Sequence, residues 1–221
     1  MGTYRQYCPV ARACEVLAER WTPLLVRNLM FGADTFNEIA RGVPAMSRSM
    51  LVTRLDQLER AGVVASCPKP EGYGQHYRLT AAGRDLADVI AALGAWGERW
   101  IEVTTQHSDP GFALWAWHRV QVDRSRLPDQ PVVVAFVFPD EAPTNRRYWL
   151  RVERGDVELC YSDPGGEPDL WVTAASLPFV DWHRGARTWT EVVGAGDVRV
   201  DGPRALARAL PTWHLDEPVV G

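Results

Sequence analysis

No stretch of this chain is apolar for long enough to cross a bilayer; none approaches the roughly 18 residues a span requires. Met1 leads into Gly-Thr-Tyr-Arg-Gln-Tyr, without the basic start and apolar block of a secretory leader. A cytoplasmic protein with no membrane partner is therefore expected. Cysteine is scarce. Cys8, Cys14, Cys67 and Cys160 are the only four in 221 residues, and no two form Cys-x-x-Cys. The five histidines (His76, His107, His118, His183, His214) make neither a His-x-x-x-His pair nor a cluster with cysteine. A disulfide framework is not indicated, and no metal or other cofactor is expected. A glycine-rich phosphate loop and a Gly-x-Ser-x-Gly nucleophile turn are also missing; Asp163-Pro164-Gly165-Gly166 reads as a turn. Lysine is nearly absent, since Lys69 stands alone against arginine, which reads as genome composition and not mechanism.

What is present suits a soluble globular chain. Hydrophobic residues make up 46% and charged residues 24%, enough to build a core. The net charge of −4 looks wrong for a nucleic-acid binder, but it is unevenly spread. Residues 1–106 hold 12 basic and 11 acidic side chains, against 12 and 17 in residues 107–221. Thr35 to Thr80 carries 6 basic and 4 acidic groups. Phosphate responds to the local field, so this balance permits DNA binding without requiring it.

Val10, Ala13, Cys14, Leu17 and Trp21 recur at helical spacing, giving a first helix with one apolar stripe. Thr22-Pro23 starts a second helix, carrying Leu24, Leu25, Leu29 and Met30, and Gly32 stops it. Thr35 caps a short helix over Phe36 to Arg41. After a turn at Pro44-Ala45-Met46, Ser47 caps a longer one that Gly62 ends. On that longer helix Met46, Leu51, Leu55 and Leu58 share one face. The opposite face near its N-terminus carries Ser49, Val52 and Thr53, with Arg48 beside them, and Arg54 adds a further basic group. Val63 to Cys67 and Gln75 to Leu79 read as two strands around a Pro/Gly loop. Thr80 then caps a long helix from Ala81 to about Thr105. Its band of Leu86, Ile90, Leu93, Trp96, Gly97, Trp100 and Ile101 exceeds what one small domain needs, and suggests a dimer interface shared with residues 8–30.

Two short helices, a tight turn and a two-stranded ribbon make a winged helix-turn-helix. A recognition helix requires short polar or basic groups on exposed N-terminal turns and an apolar face holding it to the body. Residues 8–104 resemble the HxlR-type winged-helix regulators, a branch close to the MarR group. The matching pieces are Cys8-Pro9, Arg20-Trp21-Thr22, Leu24-Leu25, Thr35 to Ile39, Ser47 to Glu59, Gly62-Val63-Val64, Tyr77 to Thr80 with Gly83, and Trp96-Gly97. One departure is visible. The family usually has Gly-Lys-Trp where this chain has Glu19-Arg20-Trp21, a change from which little functional effect is expected. The resemblance implies a homodimer on double-stranded DNA, at an inverted-repeat operator with one recognition helix per half-site. It places base or phosphate contacts at Arg48, Ser49, Val52, Thr53 and Arg54, and wing contacts at Lys69, Gln75, His76 and Arg78. In some relatives an N-terminal cysteine senses oxidants; for Cys8 the plainer reading is a half-buried side chain beside the first helix.

A boundary is expected near Gln106 to Gly111, giving domains of residues 1–106 and 112–221. Seven of the ten tryptophans follow it. Val132 to Phe138 reads as a central strand, Arg147 to Val152 and Val157 to Tyr161 as a hairpin around Glu153-Arg154-Gly155-Asp156, and Asp169 to Ala174 and Val198 to Val200 as further strands. Ser176 to Arg184, Trp189 to Val193 and Pro203 to Leu210 read as short helices. The fold class is therefore α+β throughout: a mainly α first domain with a two-stranded wing, then four or five mainly antiparallel strands with helices on one face. The run Asp169 to Ala174, Leu177 to Gly185, Trp189-Thr190-Glu191 and Val198 to Pro203 resembles the sterol carrier protein type 2-like domain. That family encloses a hydrophobic tunnel. The resemblance implies an apolar or aromatic small-molecule effector, with walls at Trp115, Phe136, Phe138, Trp149, Trp171, Phe179, Trp182, Trp189 and Trp213. The whole chain then reads as a DNA-binding transcriptional regulator, with repressor the expected sign, and not an enzyme. The alternative is an enzyme acting on a hydrophobic substrate in that cavity, with Asp181, His183 or Glu191 as acid or base.

Overall fold

A computed structural model describes residues 3–70 and 72–215. The chain divides into two compact units, the first ending at Glu102 and the second beginning at Val103.

In the first unit α1 (Pro9–Leu17) and α2 (Thr22–Met30) are separate helices. Trp21 does not continue the α1 stripe. It sits between them at φ 80°, a left-handed conformation that breaks the helical run, and it takes the N-cap place expected of Thr22. Helix α3 (Phe36–Arg41) opens with a capping box in which the Thr35 hydroxyl accepts from Glu38 N–H and the Glu38 carboxylate accepts from Thr35 N–H. Helix α4 (Arg48–Arg60) is capped by Ser47, whose hydroxyl accepts from Met50 N–H at 3.3 Å. Leu51, Leu55 and Leu58 are buried along one face of α4, with Leu25, Val26 and Ile39 in the same core. Each such side chain contributes about 1.5–3 kcal/mol of burial free energy.

The wing is β1 (Val64–Pro68) antiparallel to β2 (Gln75–Leu79), with Val64 opposite Leu79 and Pro68 opposite Gln75. The long helix expected after Thr80 is broken into α5 (Ala81–Arg84) and α6 (Ala87–Trp100) at Asp85-Leu86, and stops at Trp100 instead of Thr105. Helix α6 buries no residue completely. Trp96 and Trp100 are 58% and 63% exposed, and Val89, Leu93 and Ile101 are exposed too. An apolar groove of about 630 Å³ runs beside this helix, lined by Val10, Ala13, Leu17, Trp21, Leu24 and Leu93 among others.

The second unit places α7 (Pro110–Val120) before the sheet strands β3 (Val132–Val137), β4 (Arg147–Glu153), β5 (Asp156–Cys160), β6 (Leu170–Ala174) and β7 (Val198–Asp201). The sheet order is β5-β4-β3-β6-β7, with β3 and β6 parallel and every other pair antiparallel. The β4–β5 turn has Arg154 at φ 53° and Gly155 at φ 77°, the two positive dihedrals of a tight hairpin. Helices α8 (Ser176–His183) and α9 (Trp189–Gly194) separate β6 from β7; α10 (Arg204–Ala209) and a 3-10 turn (Leu210–Trp213) follow. Phe136, Tyr148 and Val172 lie side by side on the helix-bearing face, since the Phe136 ring meets Trp117 of α7 at 6.0 Å and Phe179 of α8 at 5.8 Å.

The joint between wing and α5 is tight. Thr80 N–H donates to Val63 O at 3.0 Å, and its hydroxyl donates to Gly62 O at 2.6 Å while accepting from Gly83 N–H at 3.2 Å. A methyl at Gly83 would overlap the Val63 carbonyl oxygen, a backbone atom with no room to retreat. Gly83→Ala is expected to destabilise the first unit by about 1–3 kcal/mol through overpacking. Chemical denaturation of the full chain, with helical ellipticity as the signal, checks this; an unchanged midpoint would show that the joint yields.

Candidate functional site

The exposed surface of α4 carries the first cluster. Arg48, Ser49, Val52 and Thr53 are all exposed on its N-terminal turns, and no acidic residue precedes Asp56 on this helix. Arg48 is already oriented. Its Nη2 donates to Asn37 Oδ1 at 2.8 Å, and its guanidinium lies 4.9 Å from the Phe36 ring centroid. Asn37 was not among the residues the sequence pointed to; its place at the exposed start of α3, beside a helix-turn-helix turn, is the signal that would have found it. The Ser49 and Ser47 hydroxyls are 3.3 Å apart, and the Thr53 hydroxyl donates to Ser49 O at 3.0 Å.

Two expected contacts are turned inwards. Arg54 does not share the exposed face. Its Nη2 pairs with Glu19 Oε2 at 2.7 Å, its Nη1 donates to Gln57 Oε1 at 2.6 Å, and its side chain is only 13% exposed. His76 is likewise held, with Nδ1 2.9 Å from Asp34 Oδ2, while Tyr77 N–H donates to Asp34 O at 2.7 Å. These bonds fasten the wing to the start of α3. On the ribbon, Gln75 and Arg78 are exposed but fall on opposite faces, because strand side chains alternate. Lys69 N–H closes the loop on Gly74 O at 3.1 Å, and Tyr73 is fully exposed near the tip. Cys8 is half-buried at the N-cap of α1.

The nine aromatic residues expected to wall one cavity do not lie together. Trp149 and Trp171 both pair with Ala135, so all three share the sheet face turned away from α7 and α8. The register parity separates them from Phe136, Phe179 and Trp182, so no single space between sheet and helices is lined by all nine. On the helix side the rings pack on one another. Phe138 meets Phe179 at 5.1 Å, Phe179 meets Trp182 at 5.3 Å, and Trp182 meets Trp189 at 4.7 Å. Trp115 and Trp213 are buried nearby on α7 and the last turn.

The residues considered for acid–base work have structural employment. Asp181 pairs with Arg184 at 3.1 Å. Glu191 accepts from the Thr188 N–H at 2.7 Å as part of a capping box, bonds that hold its carboxyl below the usual range. His183 is enclosed beside His214, their ring centroids 4.9 Å apart. Burial first, then repulsion by His214, pushes the His183 imidazole down to about 3, opposed only by a bond to the Ala113 backbone. Among the described residues no group of three or more His, Cys, Asp or Glu is placed to hold a metal ion, and no helix is long and apolar enough to cross a membrane.

A short capped helix, a turn, an exposed polar helix end and a two-stranded ribbon define the winged helix-turn-helix class. The model of the HxlR-like helix-turn-helix family matches residues 16–105. The uncharacterized HTH-type transcriptional regulator YvaP of Bacillus subtilis is 34% identical over 99 residues, which cover 44% of this chain and 92% of that protein. YodB of the same organism, also an HTH-type transcriptional regulator, is 34% identical over 97 residues, 43% of this chain and 87% of its own. The uncharacterized regulator Rv3095 of Mycobacterium tuberculosis is 40% identical over 95 residues, and this chain spans 58% of that relative's length. The chain belongs to the HxlR family of helix-turn-helix proteins.

The buried imidazole makes a pH prediction. In the unfolded chain His183 takes up a proton near its ordinary value of about 6.5, whereas the native site resists protonation down to about 3. The unfolded state therefore gains protons first, and the second unit loses stability as pH falls through this window, by up to about 1.4 kcal/mol per pH unit. Above the ordinary histidine range the group contributes no pH dependence. Thermal melts between pH 7 and pH 5, followed by tryptophan emission, are expected to show a falling midpoint with a smaller slope in His183→Gln. Equal slopes in both proteins would contradict the assignment.

Proposed function

We propose that the protein is a cytoplasmic, homodimeric transcriptional regulator, acting as a repressor, whose paired recognition helices grip an inverted-repeat operator. The observation that carries this reading is the exposed N-terminal half of α4, where Arg48 is held ready by Asn37 beside Ser49, Val52 and Thr53. An arginine fixed at the rim of a polar helix end suits a phosphate or a guanine edge, while short side chains allow close approach to the major groove. Lys69, Gln75 and Arg78 are the wing groups assigned to backbone contact; Arg54 and His76 support the site from within. The exposed apolar face of α6 and the groove beside α1 and α2 support pairing of two copies, because a monomer rarely leaves so many large side chains in water.

The second unit is assigned to an apolar or aromatic effector. Its support is the density of aromatic rings and the order of β6, two helices, β7 ending at Asp201-Gly202, and a last helix, which fits the sterol carrier protein type 2-like resemblance. The helix-side rings now touch, so an effector enters by parting them. Trp189 and His214, half-exposed at the edge of the cluster, mark the side of entry.

Two measurements test the reading. A duplex enriched from a random-sequence pool by the full-length chain is expected to bind Arg48→Ala about tenfold more weakly. The slope of log affinity against log salt should become shallower by about 0.9 for one lost phosphate contact. Unchanged affinity and slope would remove Arg48 from the interface. Titration of the full chain with a panel of apolar aromatic compounds is expected to quench tryptophan emission, raise the melting midpoint and shift operator affinity about 5- to 150-fold. A panel that does none of these would count against the effector.

A further inference from the structure

Glu19 lies outside the DNA-reading stretch, in the corner between α1 and α2. That corner is fixed. Thr22 N–H donates to Glu19 O at 3.1 Å and Leu25 N–H to Trp21 O at 3.0 Å, while Trp21 holds its left-handed φ of 80° and the Arg20 guanidinium lies 4.9 Å from its ring centroid. From this anchored backbone the Glu19 carboxylate reaches Arg54 Nη2, 35 positions away in sequence, at 2.7 Å. The rest of the Arg54 head is committed too. Nη1 donates to Gln57, and Nε is enclosed without a hydrogen-bond partner among the described residues. A guanidinium so placed has little left to offer a phosphate.

We propose that Glu19 is a positioning residue for DNA recognition, setting the rotation of α4 about its own axis through the ion pair with Arg54; this rests on the DNA-binding reading above. Apolar contacts hold α4 to the body through Leu51, Leu55 and Leu58, but hydrophobic contact is non-directional and tolerates small rotations. A charge-assisted bond to a fixed corner is directional and short-ranged. Arg54 sits on the flank of α4, between the leucine stripe and the exposed Thr53, where a bond resists rotation of the helix. Ser49, Val52 and Thr53 sweep across the reading surface if that rotation changes. Glu19 thereby acts on base recognition without touching DNA.

The test uses the full-length chain and a duplex enriched by it from a random-sequence pool. Glu19→Gln is expected to weaken binding about tenfold, with its thermal midpoint near wild type and its salt slope unchanged. Arg54→Ala should match it in affinity and slope. Arg54→Glu alone should bind far more weakly, and adding Glu19→Arg should recover at least about tenfold by restoring the pair with its charges exchanged. A phosphate-contacting arginine predicts the opposite pattern, and any part of it overturns the proposal: a shallower salt slope in Arg54→Ala, wild-type binding by Glu19→Gln, or no recovery in the exchanged pair. If Arg54→Ala fails to fold, Glu19→Gln and the exchanged pair still decide. Failure of the wild-type chain to enrich any duplex would overturn the DNA-binding reading and this inference with it, whereas tight wild-type binding with an inert Glu19→Gln overturns the positioning role alone.

Discussion

The geometry of the first unit depends on one buried amide. Asn28 is wholly inaccessible on α2; its Nδ2 donates to Ile39 O at 2.9 Å and its Oδ1 accepts from Arg27 Nε and Nη2 at 3.1 and 2.9 Å. Arg27 also reaches Gly42 O at 2.9 Å, and a methyl at Gly42 would overlap the Asn28 amide. One polar group thus fastens the end of α3 to the last turn of α2, just before the turn that launches α4. A buried amide left without partners would cost about 1–3 kcal/mol, so this arrangement has little freedom to drift. The leucine stripe of α4 settles into a frame that hydrogen bonds have already set.

The second unit is organised differently. Its sheet has a helix-covered face rich in touching rings and an opposite face bearing Trp149 and Trp171 around Ala135. Tryptophan on the two faces does separate work. On the inner face it fills the core beside α7 and α8. On the outer face Trp171 remains 37% exposed, at the cost of apolar surface left in water.

Much of the first unit was legible in the sequence because its signals are local. Thr35 and Ser47 lie next to the helices they cap, Gly62 lies at the end of α4, and the leucines at 51, 55 and 58 declare one face. The inward pairing of Arg54 and His76 was not legible, for the complementary reason. Their partners, Glu19 and Asp34, are distant in sequence, and helical or strand periodicity carries no record of a bond across such a gap. The triplet Glu19-Arg20-Trp21 gives no local sign that its carboxylate meets Arg54 of α4. The break at Asp85-Leu86 was hidden by an apolar band that runs through it. In the second unit strands and helices could be marked out from runs and turns, but the split of the tryptophans between faces required the register.

The parallel contact between β3 and β6 also bears on how the polypeptide is made. Val134 meets Leu170 only after the intervening hairpin has been laid down, so β3 has one neighbour, β4, until residues 170–174 leave the ribosome. Sequence-distant pairing of this kind forms late and slowly. A chain released early would carry a bare, β-branched edge at Val132 to Val134, open to other unfinished chains.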